Sequence, residues 1–173
     1  MAELLLVALG ANLPDPRGRS PLQTCRWAAD RVAALAGLRL HSASRWYRTA
    51  PVPASAQPHY LNGVIRPSGD VPPDVLLAGL HAIEAKAGRV RGAPNAARVL
   101  DLDLLAVDDL VLAGPGLVLP HPRLAERAFV LHPLCDVAPG WRHPVLGRTA
   151  AELLGALADQ QVEPVAADGK PLP

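Results

Sequence analysis

Residues 4 to 9 read Leu-Leu-Leu-Val-Ala-Leu, an almost unbroken apolar run that stops at Gly10. A run this short suits a strand better than a helix, and one without polar alternation must be covered on both faces. The chain is therefore expected to build a sheet around this strand, with other elements packed above and below it. At 173 residues, half of them apolar, it can bury such a core without a disulfide or a structural metal.

The punctuation that follows supports alternating elements. Ser20 and Pro21 form an N-cap and first-turn proline, and Leu22, Cys25, Ala29, Val32 and Leu35 recur at helical spacing up to Gly37. Residues 38–47 and 60–66 read as two strands, separated by a loop that holds Pro51, Pro53 and Pro58. Pro72 and Pro73 open a second helix with Leu76, Leu80, Ile83 and Ala87 on one stripe, closed by Gly88. After an aperiodic loop, 89–98, a strand is expected over 99–107. Thr149 and Glu152 then form a capping box before a short final helix. No internal repeat or long linker divides the chain, so one domain is expected over 1–160, with a frayed tail over 161–173.

The strand 99–107 carries the chemistry. Leu100, Leu102 and Leu104 share one face, and Asp101 and Asp103 share the other. Residues two apart on a strand place their side chains roughly 6 to 7 Å apart, a separation suited to holding one or two magnesium ions. Alone, the triplet describes a solvated polar face equally well. Its context is a set of arginines, Arg89, Arg91 and Arg98, just upstream. Carboxylates and guanidinium groups together suit an oligophosphate that meets a metal on one side and cations on the other.

Pro120, His121 and Pro122, followed by Arg123 and Arg127, form a second cationic cluster on a stiff segment, although a helix start with surface arginines gives the same string. Aromatic residues make up only 3% of the chain, so Tyr60 and the sole phenylalanine, Phe129, stand out. Two such rings either pack the core or sandwich a flat heterocycle. Asn62, two residues after Tyr60, offers an amide that can both donate to and accept from the edge of such a ring.

A net charge of +1 excludes a basic stripe for nucleic acid. Cys25 and Cys135 lack metal-ligand spacing and read as reduced core thiols. No stretch approaches the roughly 18 apolar residues of a membrane span, and the first residues lack a basic leader pattern. A cytoplasmic monomer acting on small molecules is expected, with no nucleic-acid or membrane partner.

Taken in order, the segments VALGANL, YRTAPV, QPHYLNGVI, IEAKAGRVR, RVLDLDLL and LPHPRLAERAFVLHPL resemble the 6-hydroxymethyl-7,8-dihydropterin pyrophosphokinase family, over roughly residues 4–154. The resemblance implies a ferredoxin-like α+β domain, an antiparallel-rich sheet with helices on both faces. It also implies transfer of pyrophosphate from ATP, the co-substrate, to a reduced pterin in folate biosynthesis. Asp101 and Asp103 match magnesium-binding residues, two ions being expected. Arg91 and Arg98 match loop arginines that assist transfer, and Glu84, Arg89, His121 and Arg127 match residues near the nucleotide. Gly10, Thr49, Pro51, Val52, Tyr60, Asn62 and Phe129 match the pterin pocket.

Three positions depart from the family pattern. The loop Gly-Ala-Pro-Asn-Ala-Ala at 92–97 lacks a tryptophan and is one residue short, Gly-Pro-Gly at 114–116 replaces an arginine, and His81 stands where a glutamine is common. A pterin- or nucleotide-binding module without turnover, and an RNA-binding ferredoxin-like domain, are the competing readings. Retention of both aspartates and Arg98 opposes the first, and the lack of a basic, aromatic sheet face opposes the second.

Overall fold

The computed structural model describes residues 4–51, 53–90, 92, 94 and 96–173. Arg91 and Val52, both expected at the site, lie outside the described residues. The expected first strand is β1, Leu5–Ala11, and it lies between β5, Asp101–Val107, and β4, Tyr60–Gly69, with antiparallel pairing to both. β2, Leu38–Ala43, and β3, Tyr47–Thr49, both pair with β4, where a single continuous strand over 38–47 was expected. Ser44 interrupts it: its hydroxyl accepts from the backbone N–H of Val64 at 2.9 Å, and its N–H donates to Val64 O at 2.9 Å. A small separate hairpin joins β6, Leu112–Ala113, to β7, Val118–Leu119.

β1 is covered on both faces, as its composition requires. Leu5, Val7 and Leu9 face the helices α1, Pro21–Ala33, and α2, Pro73–Lys86, and pack with Cys25, Val32, Leu76, Leu80 and Leu102. Leu6 faces the other way, with Leu105, toward Leu131 and Leu134 of α3, Ala128–Val137, and Leu153 of α4, Ala150–Gly155. Ser20 and Gln23 cap α1 reciprocally, and Thr149 and Glu152 cap α4 in the same way. α3 has no comparable sequence signature. Pro133 lies inside it, and its residues are apolar on nearly every side because it is sandwiched between the sheet and α4.

The segment 161–173 does not fray along its whole length. It supplies β8, Glu163–Pro164, paired with β3, and Val165, 7% exposed, donates its N–H to Trp46 O at 2.9 Å. Both cysteines are free, and burial pushes the Cys25 thiol up to about 12. Among the described residues, no helix is long and apolar enough to cross a membrane.

Candidate active site

Strand register brings the expected residues together. Gly10 on β1 pairs with Asp101 of β5 on one side and with Asn62 of β4 on the other, while Ala8 pairs with Asp103. Paired residues on adjacent strands project from the same face. The carboxylates and the amide therefore lie in adjacent columns on the α3 side of the sheet, separated by a residue without a side chain. They open into a cavity of about 670 Å³, lined by Gly10, Thr49, Tyr60, Asn62, Phe129 and Arg127 among others, and by Arg98, Asp101 and Asp103 at its polar end.

Hydrogen bonds fix the side chains at the other end. Asn62, 7% exposed, donates from Nδ2 to Thr49 Oγ1 at 3.0 Å, which leaves its carbonyl oxygen facing Gly10. A Cβ at Gly10 would stand 3.0 Å from that Oδ1. The Tyr60 hydroxyl donates to Ala96 O at 3.1 Å, and burial holds its pKa above the ordinary phenol value. Pro51 is buried nearby but does not line the cavity.

The polar end is a web of opposed charges. Asp101 accepts from Arg89 Nη1 at 2.8 Å and meets Arg98 Nη1 at 3.2 Å. Glu84, 4% exposed, pairs with the same Arg89 nitrogen and accepts from Leu102 N–H at 3.0 Å. It thus stands behind Arg89 as a buried support and does not line the cavity. Asp103 lies 3.9 Å from His121 Nε2. Burial and the Asp101 charge push the Asp103 carboxyl above the usual range, against the pull of His121, Arg127 and Arg89. Burial lowers His121, with Asp103 opposing, and its Nδ1 accepts from Arg123 N–H at 3.2 Å. Burial and Arg123 likewise lower Arg127, which lies over Phe129 with Cζ 5.6 Å from the ring centre.

Residues 6–139 match the model of the 7,8-dihydro-6-hydroxymethylpterin-pyrophosphokinase (HPPK) family. The chain belongs to this family. It is 39% identical to the 2-amino-4-hydroxy-6-hydroxymethyldihydropteridine pyrophosphokinase of Pseudomonas aeruginosa, over 94% of this chain and 97% of that one. A protein of the same name from Synechocystis sp. is 36% identical over 93% of this chain and 80% of its own length. The fold matches the HPPK-DHPS of Plasmodium falciparum with a TM-score of 0.69 at 12% identity, covering 92% of this chain and 45% of that one. The chain thus spans less than half the length of that solved protein.

Against this HPPK frame, sequence reasoning missed several residues. Asn12, 1% exposed, binds the backbone of Arg98 and also reaches Gln57 and Pro58. It stands within the VALGANL segment, so its motif was visible although its partners were not. Gly63 and the stretch 159–162 also line the cavity, beside Arg123 of the expected cationic cluster. A Cβ at Gly63 would come within 2.5 Å of the Trp46 ring. For 159–162 no local signal exists, because only the fold brings that segment to the site.

Proposed function

We propose that this chain transfers the pyrophosphoryl group of magnesium-bound ATP to the hydroxymethyl group of 6-hydroxymethyl-7,8-dihydropterin and releases AMP. One observation carries the reading beyond family membership: Gly10 stands in register between Asp101 and Asn62. A flat heterocycle read at its edge by Asn62, between Tyr60 and Phe129, then has its substituent directed across the bare Gly10 backbone toward the carboxylates.

The donor set fits magnesium. Both candidate ligands are carboxylates, about one-third exposed, and among the described residues no group of three potential ligands forms a closed cage. Magnesium characteristically takes one or two carboxylates and completes its shell with phosphate oxygens and water. Two ions are consistent with two carboxylates. Bound there, magnesium supplies charge neutralisation across the phosphate oxygens.

The chain's own groups do the rest. Tyr60, Phe129 and Asn62 orient the pterin, and Arg98 and Arg127 meet the phosphates. The pterin oxygen forms a bond to the β-phosphorus as the bond from that phosphorus to the oxygen of the AMP phosphate breaks. The hydroxyl proton leaves to solvent or to an aspartate. Positioning and fixed charge account for the acceleration, since phosphoryl-type transfer requires no protein nucleophile. The reading includes a cytoplasmic, monomeric enzyme acting only on small molecules, with neither nucleic acid nor membrane as a partner.

The test is AMP formation from Mg-ATP with and without 6-hydroxymethyl-7,8-dihydropterin. Pterin-dependent AMP with a matching pterin diphosphate is expected, and its absence from folded protein refutes the reading. Single-turnover kinetics of Arg98→Ala should show a slowed chemical step with ATP binding little changed, because the charge it meets develops in the transition state.

A further inference from the structure

Arg127 precedes α3 in an extended conformation, with φ −120° and ψ 103°. In an extended chain the carbonyl before a residue and the N–H after it point to the same side. Here one side chain takes both. Gln160 Nε2 donates to Glu126 O at 2.9 Å, and Gln160 Oε1 accepts from Ala128 N–H at 2.9 Å. Arg127 provides no side-chain cap to α3, so Gln160 satisfies a donor that the helix start leaves free.

The amide has the chemistry this position demands, a donor and an acceptor held a fixed distance apart in one plane. Gln160 lies beyond residues 6–139, which match the family model, in the segment that follows α4. Gln160, Gln161 and Val162 line the same cavity as Arg127 and Phe129. The contact therefore joins the later part of the chain to the wall that carries a cation.

We infer that Gln160 is a positioning residue: its amide sets the backbone on both sides of Arg127 and so aims that guanidinium, across the Phe129 ring, into the cavity. The inference rests on the reading above, in which Arg127 meets the nucleotide phosphates.

Calorimetry with the α,β-methylene analogue of Mg-ATP separates the two. Its Pα–CH2–Pβ linkage cannot be cleaved, so affinity is measured without turnover. Gln160→Ala is expected to bind the analogue about tenfold more weakly, because an Arg127 no longer held in place must be ordered when the phosphates bind. Because Gln160 is exposed, the melting temperature should stay within about 2 °C of wild type. Gln160→Glu keeps the reach and the acceptor but turns a carboxylate oxygen toward Glu126 O, and should bind no better than Gln160→Ala. In an Arg127→Ala background, Gln160→Ala should cost less than about twofold, since the guanidinium it aims is already gone. Wild-type affinity in Gln160→Ala, or an equal tenfold loss in the Arg127→Ala background, overturns the inference. So does failure of the wild-type chain to bind the analogue. A wild-type chain that binds the analogue yet forms no AMP with the pterin refutes the proposed reaction alone, and the role of Gln160 is still decided by affinity.

Discussion

Asn12 and Arg98 close a ring of two hydrogen bonds: Asn12 N–H donates to Arg98 O at 3.0 Å, and Arg98 N–H donates to Asn12 Oδ1 at 2.8 Å. The other end of the same amide donates to Gln57 Oε1 and to Pro58 O, both at 3.1 Å. Three segments around the cavity thus converge on one buried side chain, whose orientation is dictated by a backbone donor on one side and a backbone acceptor on the other.

Asn12→Asp tests this convergence. It keeps the acceptor for Arg98 and sets a carboxylate oxygen, buried at position 12, against Pro58 O, which loses its donor. Stability should fall by about 2 kcal/mol in urea unfolding. Turnover should fall on the order of tenfold to a hundredfold as Arg98 shifts, with fold content unchanged by circular dichroism.

Asp103 bears a cost in the fold that its role requires. Burial and the like charge of Asp101 disfavour its ionised form. In metal-free buffer near neutral pH, Asp103→Asn should therefore melt about 2 to 4 °C higher than wild type, while with Mg-ATP its AMP release should fall by on the order of a thousandfold. Calorimetric scans in chelator and an AMP assay check both. A lower melting temperature with retained turnover contradicts the assignment.

Phe129 is half-buried at the start of α3, which places it at the cavity wall and not deep in the core. Phe129→Ala should weaken pterin binding by roughly 1 to 3 kcal/mol and alter nucleotide affinity much less. A parallel loss of both affinities with a large drop in melting temperature would make it a packing residue.

Tyr47, 2% exposed, donates its hydroxyl to Asp136 Oδ2 at 2.8 Å and accepts from Arg45 Nη2 at 2.9 Å. Burial, and then Asp136, push it from 10.0 to about 12. The unfolded chain thus gives up this proton at lower pH than the folded chain. Stability from Tyr47 is full below pH 10 and is lost as pH rises from 10 to about 12. Unfolding free energies at pH 8 and near pH 12 should show this alkaline loss, on the order of 2 kcal/mol, in wild type and not in Tyr47→Phe.

The sheet was legible where one period dominated. The alternation of Leu100, Leu102 and Leu104 with Asp101 and Asp103 settled the faces of β5, and the unbroken run in β1 required cover on both sides. α3 was not legible because burial on nearly every side removes helical periodicity, and Pro133 argues against a helix when read alone. Ser44 divided an apparently continuous strand through a side-chain bond to β4, a neighbour twenty residues away. For the site, residues whose chemistry sits in their own side chains were legible, Asn62 and Arg98 among them. Asn12 and Gln160 act by holding backbone distant in sequence, so their roles emerge only once the chain has folded. Glu84, expected near the nucleotide, pairs with Arg89 and accepts from the Leu102 N–H, contacts that only the fold reveals.

The tight fit of Gly10 against Asn62 Oδ1 bears on inhibitor escape. A compound that reads the Asn62 amide over the bare Gly10 backbone occupies the surface proposed for the pterin. A side chain introduced at position 10 would press on that amide, so under the proposed reading a variant that excludes the compound there also disturbs recognition of the substrate. Substitutions that weaken an inhibitor while sparing turnover should therefore arise at wall positions farther from Gly10, with Ala50 and Gln161 as accessible examples.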